Sequence, residues 1–359
     1  MTEPGAGAAW DGGLKARVDG ALHAFVAAET ALLNEIDPEL KPVSEQLTAA
    51  VADGKRLRAA FAYWGWRAAG QPDSEAMVRA ATAVELVHAA AVVHDDLIDD
   101  SPVRRGAPTA HLALRTAAPA GPGQRAAGRA LALLVGDLLT AWSGQLLASC
   151  GLPAGYLARA RPLWATLARE LVAGECLEVL RTRAVSVKSG APEASSLEII
   201  RYKTAKYTVE HPLHLGALLA GAPPALLEAF TAYGLPLGEA FQLRDDLLGV
   251  FGDPRRTGKS NLDDLAGAKP TALVSLARAR SGPADRDRLN ALLGRPDLGP
   301  DGLDELRALL ERSGARARVE ELIEERTSAA RTALAAVTLP AQATEALRDL
   351  VTTATARIS

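Results

Sequence analysis

The sequence lacks several features by which a protein class is often recognised. Only two of its 359 residues are cysteines, Cys150 and Cys176, and their wide spacing argues against a disulfide framework or a zinc site. The formal net charge is −3, which gives no general reason to expect nucleic acid as a partner. A site for an anion must therefore be built locally from a few basic residues.

Membrane-spanning and export signals are missing as well. No stretch of about 18 uninterrupted apolar residues occurs, so no membrane span is predicted. Residues 1–13 contain acidic residues and glycines where a signal peptide would have a basic start and an apolar core. We therefore expect a cytoplasmic protein with a flexible N-terminus over residues 1–13.

Alternating β-branched runs are also scarce, whereas Ala, Leu, Arg and Glu recur at helical spacing. This pattern predicts an all-α protein. With 48% hydrophobic residues, the chain can bury a large core, and we expect one all-α domain over residues 14–359. The first helix is predicted from an apolar stripe that ends before Pro38 and comprises Leu14, Val18, Leu22, Phe25, Leu32 and Ile36.

What the sequence does contain is a dense acidic motif. Residues 94–100 read His-Asp-Asp-Leu-Ile-Asp-Asp, which places four carboxylates within six residues, just after the apolar run 80–93. If that run stays helical, Asp95 and Asp99 lie one turn apart on one face, and their repulsion needs a cation. Carboxylate oxygens suit Mg²⁺, which fills its remaining positions with water and phosphate oxygens. A solvated helix end is the alternative, and on this motif alone it has equal weight.

A second acidic pair favours the metal interpretation. Asp245 and Asp246 lie at the end of another apolar helical stretch, and Arg104 and Arg105 follow the first motif with forked donors for phosphate. If the two motifs face each other, bridging Mg²⁺ would hold a diphosphate between them. Neutralising that leaving group lowers the barrier to breaking a carbon–oxygen bond. The pattern therefore indicates ionisation chemistry.

These motifs and several others, taken in order, resemble the polyprenyl synthetase family of trans-isoprenyl diphosphate synthases. The matching residues are the basic segment 54–58, Glu85 to His88, His94 to Asp96, Gly136-Asp137, Lys203-Thr204, Phe241-Gln242, Asp245-Asp246, Gly258-Lys259 and Lys269. They cover roughly residues 50–270, and chance does not produce so many motifs in this order.

The resemblance implies both a fold and a metal site. The fold is the all-α isoprenoid synthase fold, a single helical bundle around a deep central cavity, and the family suggests a homodimer. About three Mg²⁺ ions per active site would be held by Asp95, Asp96, Asp99, Asp245 and Asp246. The catalytic residues would be Asp95, Asp99, Arg104, Lys203 and Asp245.

Two diphosphate sites are implied by the same resemblance. The site for isopentenyl diphosphate comprises Lys55, Arg58, His88 and Arg105. The site for the allylic diphosphate comprises Arg104, Lys203, Thr204, Gln242, Lys259 and Lys269. Lys206 is interpreted as an ordinary surface lysine, and His94 as a residue that supports the first acidic motif.

The sequence departs from the family pattern at a few positions. Asp53 and Ala59 replace a glycine and a proline that are usual in the basic segment, but neither change removes a charge. Gly249 stands where a third aspartate is expected in the second motif, although Asp253 follows one turn later. The spacing of Asp245, Gly249 and Asp253 is that of class I terpene cyclases, which share the fold, so a cyclase acting on a single prenyl diphosphate is the alternative. A non-catalytic partner subunit is a third hypothesis, which the retained aspartates disfavour.

The predicted reaction is a Mg²⁺-dependent, head-to-tail condensation of isopentenyl diphosphate with dimethylallyl, geranyl or farnesyl diphosphate. Ala91 lies one helical turn, about 5.4 Å, before Asp95, and Val87 lies one turn further. Because Ala90 is also small, a growing chain would meet no large aromatic side chain at either alanine. In related enzymes, small residues there accompany products of about twenty carbons or more, so we predict geranylgeranyl diphosphate as the product.

Overall fold

The computed structural model describes Asp11 and residues 13–117, 121–185, 193–252, 269–295 and 298–355. Among the predicted site residues, Lys259 lies outside these ranges, as do Asp253 and most of the predicted N-terminal segment. Within them the regular structure is helical except for two strands of two residues each, which confirms the all-α prediction.

By its internal contacts the chain divides into two compact units. The first comprises Met1–Arg161, Pro212–Ala222 and Leu339–Asp349, and the second comprises Pro162–His211, Pro223–Thr338 and Leu350–Ser359. The prediction of one domain over residues 14–359 stays a prediction.

The first unit contains the early helices and a small hairpin. In order they are α1 (Leu14–Ile36), a 3₁₀ turn (Pro38–Leu40), α2 (Lys41–Val51), α3 (Leu57–Ala68), α4 (Glu75–Ile98), β1 (Val103–Arg104), β2 (Ala107–Pro108), α5 (Ala110–Ala113), a second 3₁₀ turn (Leu114–Ala117) and α6 (Gln124–Ala148). The two strands pair antiparallel, with Arg104 opposite Ala107. The long apolar helix α4 packs against α6, α3 and α1, so most of its residues are buried in the core of this unit.

The second unit contains most of the later helices. In order, the helices after α6 are α7 (Ala154–Val185), which begins in the first unit, α8 (Glu193–Ile199), a π-helix (Ile200–Glu210), α9 (His211–Ala220), which belongs to the first unit from Pro212 onward, α10 (Pro224–Phe251), α11 (Ala272–Arg280), α12 (Pro283–Leu292), α13 (Pro300–Arg312), α14 (Ala315–Ala335) and α15 (Ala341–Thr355), which belongs to the first unit as far as Asp349. Helix α10 packs against α14 and against the π-helix. The core of this unit includes Leu243, Leu247, Leu273, Leu306 and Leu310.

Helix α1 confirms the predicted end before Pro38 but not the whole predicted stripe. Its buried residues continue at helical spacing from Leu22 to Val26 and Thr30, whereas Leu32 is 55% exposed and Ile36 is 75% exposed. The stripe was therefore wrong over the last turns, because the buried face passes through a threonine, whose hydroxyl donates to the Val26 carbonyl at 2.8 Å.

Helices α3 and α9 of the first unit approach each other closely at two glycines. A Cβ atom on Gly216 would lie 1.9 Å from the carbonyl oxygen of Ala62, and one on Gly65 would lie 2.3 Å from that of Leu213. Any larger residue at these positions would push the two backbones apart. Glycine is therefore a packing requirement at both positions.

Helices α4 and α6 are also long and apolar enough to cross a membrane, by length and composition alone. The most apolar window of α4 is 67% buried inside the protein, and that of α6 is 44% buried. Because a core helix of a globular protein meets the same criterion, these two helices are weak grounds for a membrane span.

Candidate active site

The first acidic motif occupies the end of α4. The helix begins at a capped N-terminus, where the Ser74 hydroxyl accepts from the Met77 amide at 3.3 Å, and it contains no glycine or proline. It continues through the motif, since the Asp99 amide donates to the Asp95 carbonyl at 2.9 Å. The two carboxylates therefore lie one turn apart, as the spacing predicted. Two hard oxygen donors at this separation fit the chemistry of Mg²⁺.

The hairpin that follows α4 carries the two predicted arginines. Arg105 and Gly106 are the central residues of a two-residue turn, with φ of 52° and 78°, as in the tight turns that suit twisted strands. Positive φ costs a non-glycine residue about 1 kcal/mol or more. At this tip, Arg105 donates to the backbone carbonyl of Asp53, so the turn is attached to the loop before α3.

Arg104 makes an ion pair with the first acidic motif. Its Nε donates to the two carboxylate oxygens of Asp96 at 3.0 and 3.2 Å, and its Nη2 donates to the same carboxylate. The same Nη2 lies 3.5 Å from Oδ2 of Asp95. Asp96 is buried, so this pair is shielded from water. Arg104 therefore bridges two carboxylates that were predicted as metal ligands.

Four residues were predicted to bind isopentenyl diphosphate, and all belong to the first unit. Arg58 is buried at the start of α3, His88 is half-buried on α4, and Lys55 and Arg105 are exposed in their loops. Arg56, between the two basic residues of the early segment, has a different role. It is buried, and it donates to the Asp19 carboxylate at 2.7 Å and to the Val51 carbonyl at 2.6 Å, so it fixes the loop.

The surroundings of His88 are cationic. Burial lowers the pKa of His88 well below its ordinary value, and the positive charges of Arg58, Arg105, Arg104 and Arg56 lower it further. The imidazole is therefore neutral at neutral pH. A bound diphosphate would offset these cationic charges.

Gly136 of α6 makes room for His94. A Cβ atom on Gly136 would lie 2.1 Å from Nε2 of His94, and that nitrogen lies 3.3 Å from the Leu133 carbonyl and 3.5 Å from a carboxylate oxygen of Asp137. The Gly136-Asp137 motif therefore packs against the residue that precedes the first acidic motif. This is consistent with the supporting role predicted for His94.

The second acidic motif lies near the end of α10 and is joined to the π-helix by hydrogen bonds. The Thr204 hydroxyl donates to the Gln242 side-chain oxygen at 2.8 Å, and the Gln242 amide nitrogen donates to Asp246 at 2.8 Å. Asp246 is buried and Asp245 is half-buried. Three predicted site residues of the second unit thus form one hydrogen-bonded chain, which orients the carboxylate of Asp246.

The π-helix presents Lys203 to two glutamates of α7. The Lys203 ammonium lies 2.6 Å from Glu178 and 2.9 Å from Glu175, and the Lys269 ammonium lies 3.5 Å from Glu178. Glu178 therefore forms ion pairs with two lysines that were predicted to bind the allylic diphosphate. The two glutamates were missed in the sequence, where their three-residue separation directly after Gly174 was the available signal.

Glycines let the π-helix pack between its neighbours. A Cβ atom on Gly174 of α7 would lie 2.4 Å from the Lys203 backbone nitrogen, and one on Gly238 of α10 would lie 2.5 Å from Cα of Ala205. Single π-type turns are uncommon and occur often at functional sites. This eleven-residue example carries both Lys203 and Thr204.

Lys206 is not the ordinary surface lysine that was predicted. Its ammonium lies 3.0 Å from Glu170 and 3.5 Å from Glu210, and the His211 ring nitrogen Nε2 lies 3.1 Å from Glu170. Burial lowers the pKa of Lys206, but the carboxylates of Glu210 and Glu170 more than offset this, so the pKa is raised. We call Glu170, Lys206, Glu210 and His211 the π-helix ion cluster.

The predicted chain-length residues lie in the turns of α4 that precede Asp95. Ala90 is buried, and Val87 and Ala91 are half-buried. Because α4 is continuous, the one-turn separation of Ala91 from Asp95 follows from helix geometry.

Known proteins match both the sequence and the fold. A family model described as polyprenyl synthetase matches residues 40–310. The crystal structure of geranylgeranyl pyrophosphate synthase from Corynebacterium glutamicum, complexed with isoprenyl diphosphate and magnesium, is 33% identical, with a TM-score of 0.89 over 95% of this chain and 98% of that chain. The (2E,6E)-farnesyl diphosphate synthase of Mycobacterium tuberculosis is 33% identical over 298 residues, 79% of this chain and 77% of the relative. The nonaprenyl diphosphate synthase of that organism is 30% identical over 323 residues, 88% of this chain and 89% of the relative.

The chain therefore belongs to the polyprenyl synthetase family, as its ordered motifs predicted. It has the all-α isoprenoid synthase fold, and it is a trans-prenyltransferase of isoprenoid biosynthesis. The family works with Mg²⁺ on isoprenyl diphosphates. The relatives named above range from a farnesyl to a nonaprenyl synthase, so membership of the family leaves the product length open.

Proposed function

We propose that this prenyltransferase condenses isopentenyl diphosphate head-to-tail with an allylic diphosphate. The observation that carries the proposal is the cationic surrounding of His88, to which Arg58, Arg104 and Arg105 contribute. These arginines lie in the same unit as the Asp95–Asp99 turn, and they could bind a second diphosphate. A cyclase acting on a single prenyl diphosphate needs only one diphosphate site.

In this proposal Asp95, Asp99 and Asp245 hold Mg²⁺, and Asp96 and Asp246 support them. We propose about three ions per active site, the number that the resemblance to the family implies. Bound Mg²⁺ would neutralise the diphosphate leaving group of the allylic substrate. Carboxylates in helical i, i+4 register support this assignment, because their oxygens suit a hard divalent cation.

The basic residues of the second unit would receive the departing pyrophosphate. Lys203 and Lys269 would exchange their contacts with Glu178 for phosphate oxygens, with Thr204 and Gln242 as hydrogen-bonding partners. Lys259 and Arg104 are assigned to the same diphosphate. Such charged donors stabilise negative charge as it develops, which is usually a large contribution to catalysis.

The proposed reaction breaks the carbon–oxygen bond of the allylic diphosphate to give an allylic cation and pyrophosphate. The double bond of isopentenyl diphosphate attacks the cation, forming the new carbon–carbon bond. A proton then leaves the resulting cation, and the released pyrophosphate is its proposed acceptor. Lys55, Arg58, His88 and Arg105 would fix isopentenyl diphosphate for this attack, and such positioning removes much of the entropic barrier.

We propose geranylgeranyl diphosphate as the main product. The small side chains of Ala90 and Ala91 support this, since a growing chain would meet no large aromatic side chain at either position. The full chain, given isopentenyl diphosphate and farnesyl diphosphate with Mg²⁺, is expected to add one five-carbon unit.

Substrate requirement distinguishes the synthase from the cyclase. Purified protein should convert dimethylallyl, geranyl or farnesyl diphosphate only when isopentenyl diphosphate is also present, with Mg²⁺, and mass spectrometry should find longer prenyl diphosphates. Omitting Mg²⁺ should stop the reaction. Hydrocarbon products formed from a single prenyl diphosphate would instead establish the cyclase.

The Ala91→Phe variant tests the assignment of the chain-length face. The aromatic ring would stand one turn, about 5.4 Å, before Asp95, and we expect the main product to shorten by at least one five-carbon unit. Product analysis by mass spectrometry is the measurement. Ala91→Val, which adds little length, is the matched control and should alter the distribution less; an unchanged product in Ala91→Phe would contradict the placement.

We also propose that the enzyme works in the cytoplasm as a homodimer. Several large apolar side chains are exposed on α6 and α7, namely Leu133, Leu134, Val172 and Leu180. A second copy that covered them would remove this apolar surface from water. Light scattering of the purified chain tests the assembly.

A further inference from the structure

The four carboxylates of the first acidic motif divide into two pairs that alternate along the chain. Asp95 and Asp99 form one i, i+4 pair, and Asp96 and Asp100 form the other. Both members of the second pair are bound by arginines: Asp96 by Arg104, and Asp100 by two arginines of α6. Arg104 also lies 3.5 Å from Asp95, so the hairpin arginine contacts the first part of the motif, and the arginines of α6 contact Asp100.

Asp100 lies between α6 and α5. Its Oδ2 accepts from Arg125 at 3.0 Å, and its Oδ1 accepts from Arg129 at 3.0 Å. The buried ring of His111 places Nε2 3.4 Å from the same Oδ1. Both carboxylate oxygens thus have cationic or ring-nitrogen partners, which disfavours Asp100 as a further metal ligand.

The backbone around Asp100 is tied to the same partners. Arg129 also donates to the Leu97 carbonyl at 3.1 Å, which satisfies an open carbonyl at the end of α4. The Thr109 hydroxyl donates to the Ser101 carbonyl at 2.7 Å and lies 3.2 Å from Nδ1 of His111. These contacts connect the end of α4, the base of the hairpin and the start of α6.

Asp100 itself has a φ of 54°. Aspartate and asparagine tolerate this left-handed conformation better than most residues. Asp100 therefore sits in a turn between Asp99 and the strand that carries Arg104. A change in the contacts of Asp100 would be expected to shift the backbone on both sides of this turn.

We propose that Asp100 is a positioning residue, which acts through Arg125, Arg129 and His111 to fix the carboxylate of Asp99 and the hairpin arginines for substrate and metal. This inference rests on the proposed function, since Asp99 is assigned there as a metal ligand. Asp100, Arg125 and Arg129 are 48%, 65% and 40% exposed. Because exposed ion pairs add little to stability, the main consequence of this arrangement is geometric.

The Asp100→Asn variant tests the proposal. Asparagine keeps the size and tolerates the positive φ, but it loses the charge that two arginines share. Partners behind metal ligands typically affect metal affinity by about 10- to 100-fold. We expect the Mg²⁺ concentration for half-maximal activity to rise about tenfold, while the thermal unfolding midpoint without ligands changes little. The second readout is the increase in that midpoint when Mg²⁺ and pyrophosphate are added together, and its Mg²⁺ dependence should shift equally.

A second variant removes the same contact from its other side, so the proposal can still be tested if Asp100→Asn misfolds. Arg129→Gln should raise the Mg²⁺ requirement in the same direction, and the double variant should be no worse than the stronger single variant, because both remove one interaction. The matched control is Glu305→Gln, which removes another exposed carboxylate bound by an arginine, Arg288, and should leave the Mg²⁺ requirement unchanged.

The outcomes separate this inference from the proposed function. If the wild-type chain shows neither prenyl transfer nor a thermal shift with Mg²⁺ and pyrophosphate, the proposed function is wrong. If the wild type responds normally and both variants titrate with Mg²⁺ as it does, the positioning role is overturned. Lower thermal stability with an unchanged Mg²⁺ dependence would likewise assign Asp100 a purely structural role.

Discussion

Replacing Asp95 with alanine should reduce prenyl transfer by on the order of a thousandfold, the upper end of what the loss of one preorganised charge-stabilising group costs. The thermal midpoint should change little, because one carboxylate fewer at the end of α4 relieves repulsion. Asp245→Ala is expected to reduce turnover to a similar extent. Steady-state rates with saturating Mg²⁺ and both diphosphates are the measurement, with circular dichroism to verify the fold.

The double variant makes this prediction sharper. If Asp95 and Asp245 act on the same ions, removing both should cost no more than removing either, since groups that act as a unit are strongly non-additive. Asp304→Ala is the matched control, because Asp304 is 75% exposed and its ion pair with Arg307, at 3.4 Å, is long. Multiplied effects in the double variant, or a collapse of the fold in Asp95→Ala, would contradict a shared metal site.

The second prediction is that two lysines of the π-helix have different roles: loss of Lys203 should mainly reduce activity, and loss of Lys206 should mainly reduce stability. Lys203→Ala should lower kcat/KM for the allylic diphosphate by about 10²- to 10³-fold with a modest change in stability, because Lys269 still lies near Glu178. Lys206→Ala should instead lower the free energy of unfolding by roughly 1–3 kcal/mol, because it leaves the buried carboxylate of Glu210 and the largely buried Glu170 without their ammonium partner.

Kinetics and urea unfolding of both variants decide between these roles. Each lysine is the control for the other, since both lie on the same helix and both pair with glutamates. Because the pKa of Lys206 is raised, its contribution to stability is complete at neutral pH. It should be lost only as the pH rises beyond the ordinary lysine value of about 10.4. Equal losses of stability in the two variants would contradict the assignment.

Helix geometry explains why part of the site could be predicted from the sequence. The separation of Asp95 and Asp99 follows from helical spacing once α4 is known to be unbroken, and the hydrogen-bonded amides confirm it. The family could be recognised because its motifs keep their order. The buried stripe of α1 was partly wrong, since spacing alone did not show that Thr30 would replace an apolar residue on the buried face.

Contacts between residues distant in sequence account for most of what was missed. The sequence alone suggests a surface position for Lys206, because its partner Glu170 is 36 positions earlier, on another helix. Glu175 and Glu178 were overlooked for the same reason, since their significance depends on lysines that only the folded chain brings to them. The pairing of Asp100 with Arg125 and Arg129 likewise depends on the position of α6.

At Arg105, the tip of the hairpin, backbone stability and the proposed substrate binding favour different residues. At the φ of 52° found for Arg105, glycine or asparagine would be less strained, but neither carries the positive charge on which the proposed isopentenyl diphosphate site depends. Selection for heat resistance alone would therefore drive position 105 away from arginine. A directed-evolution experiment on this enzyme should therefore select for turnover as well as for thermal stability. Selection for stability alone would favour stable variants in which the proposed substrate binding by residue 105 is lost.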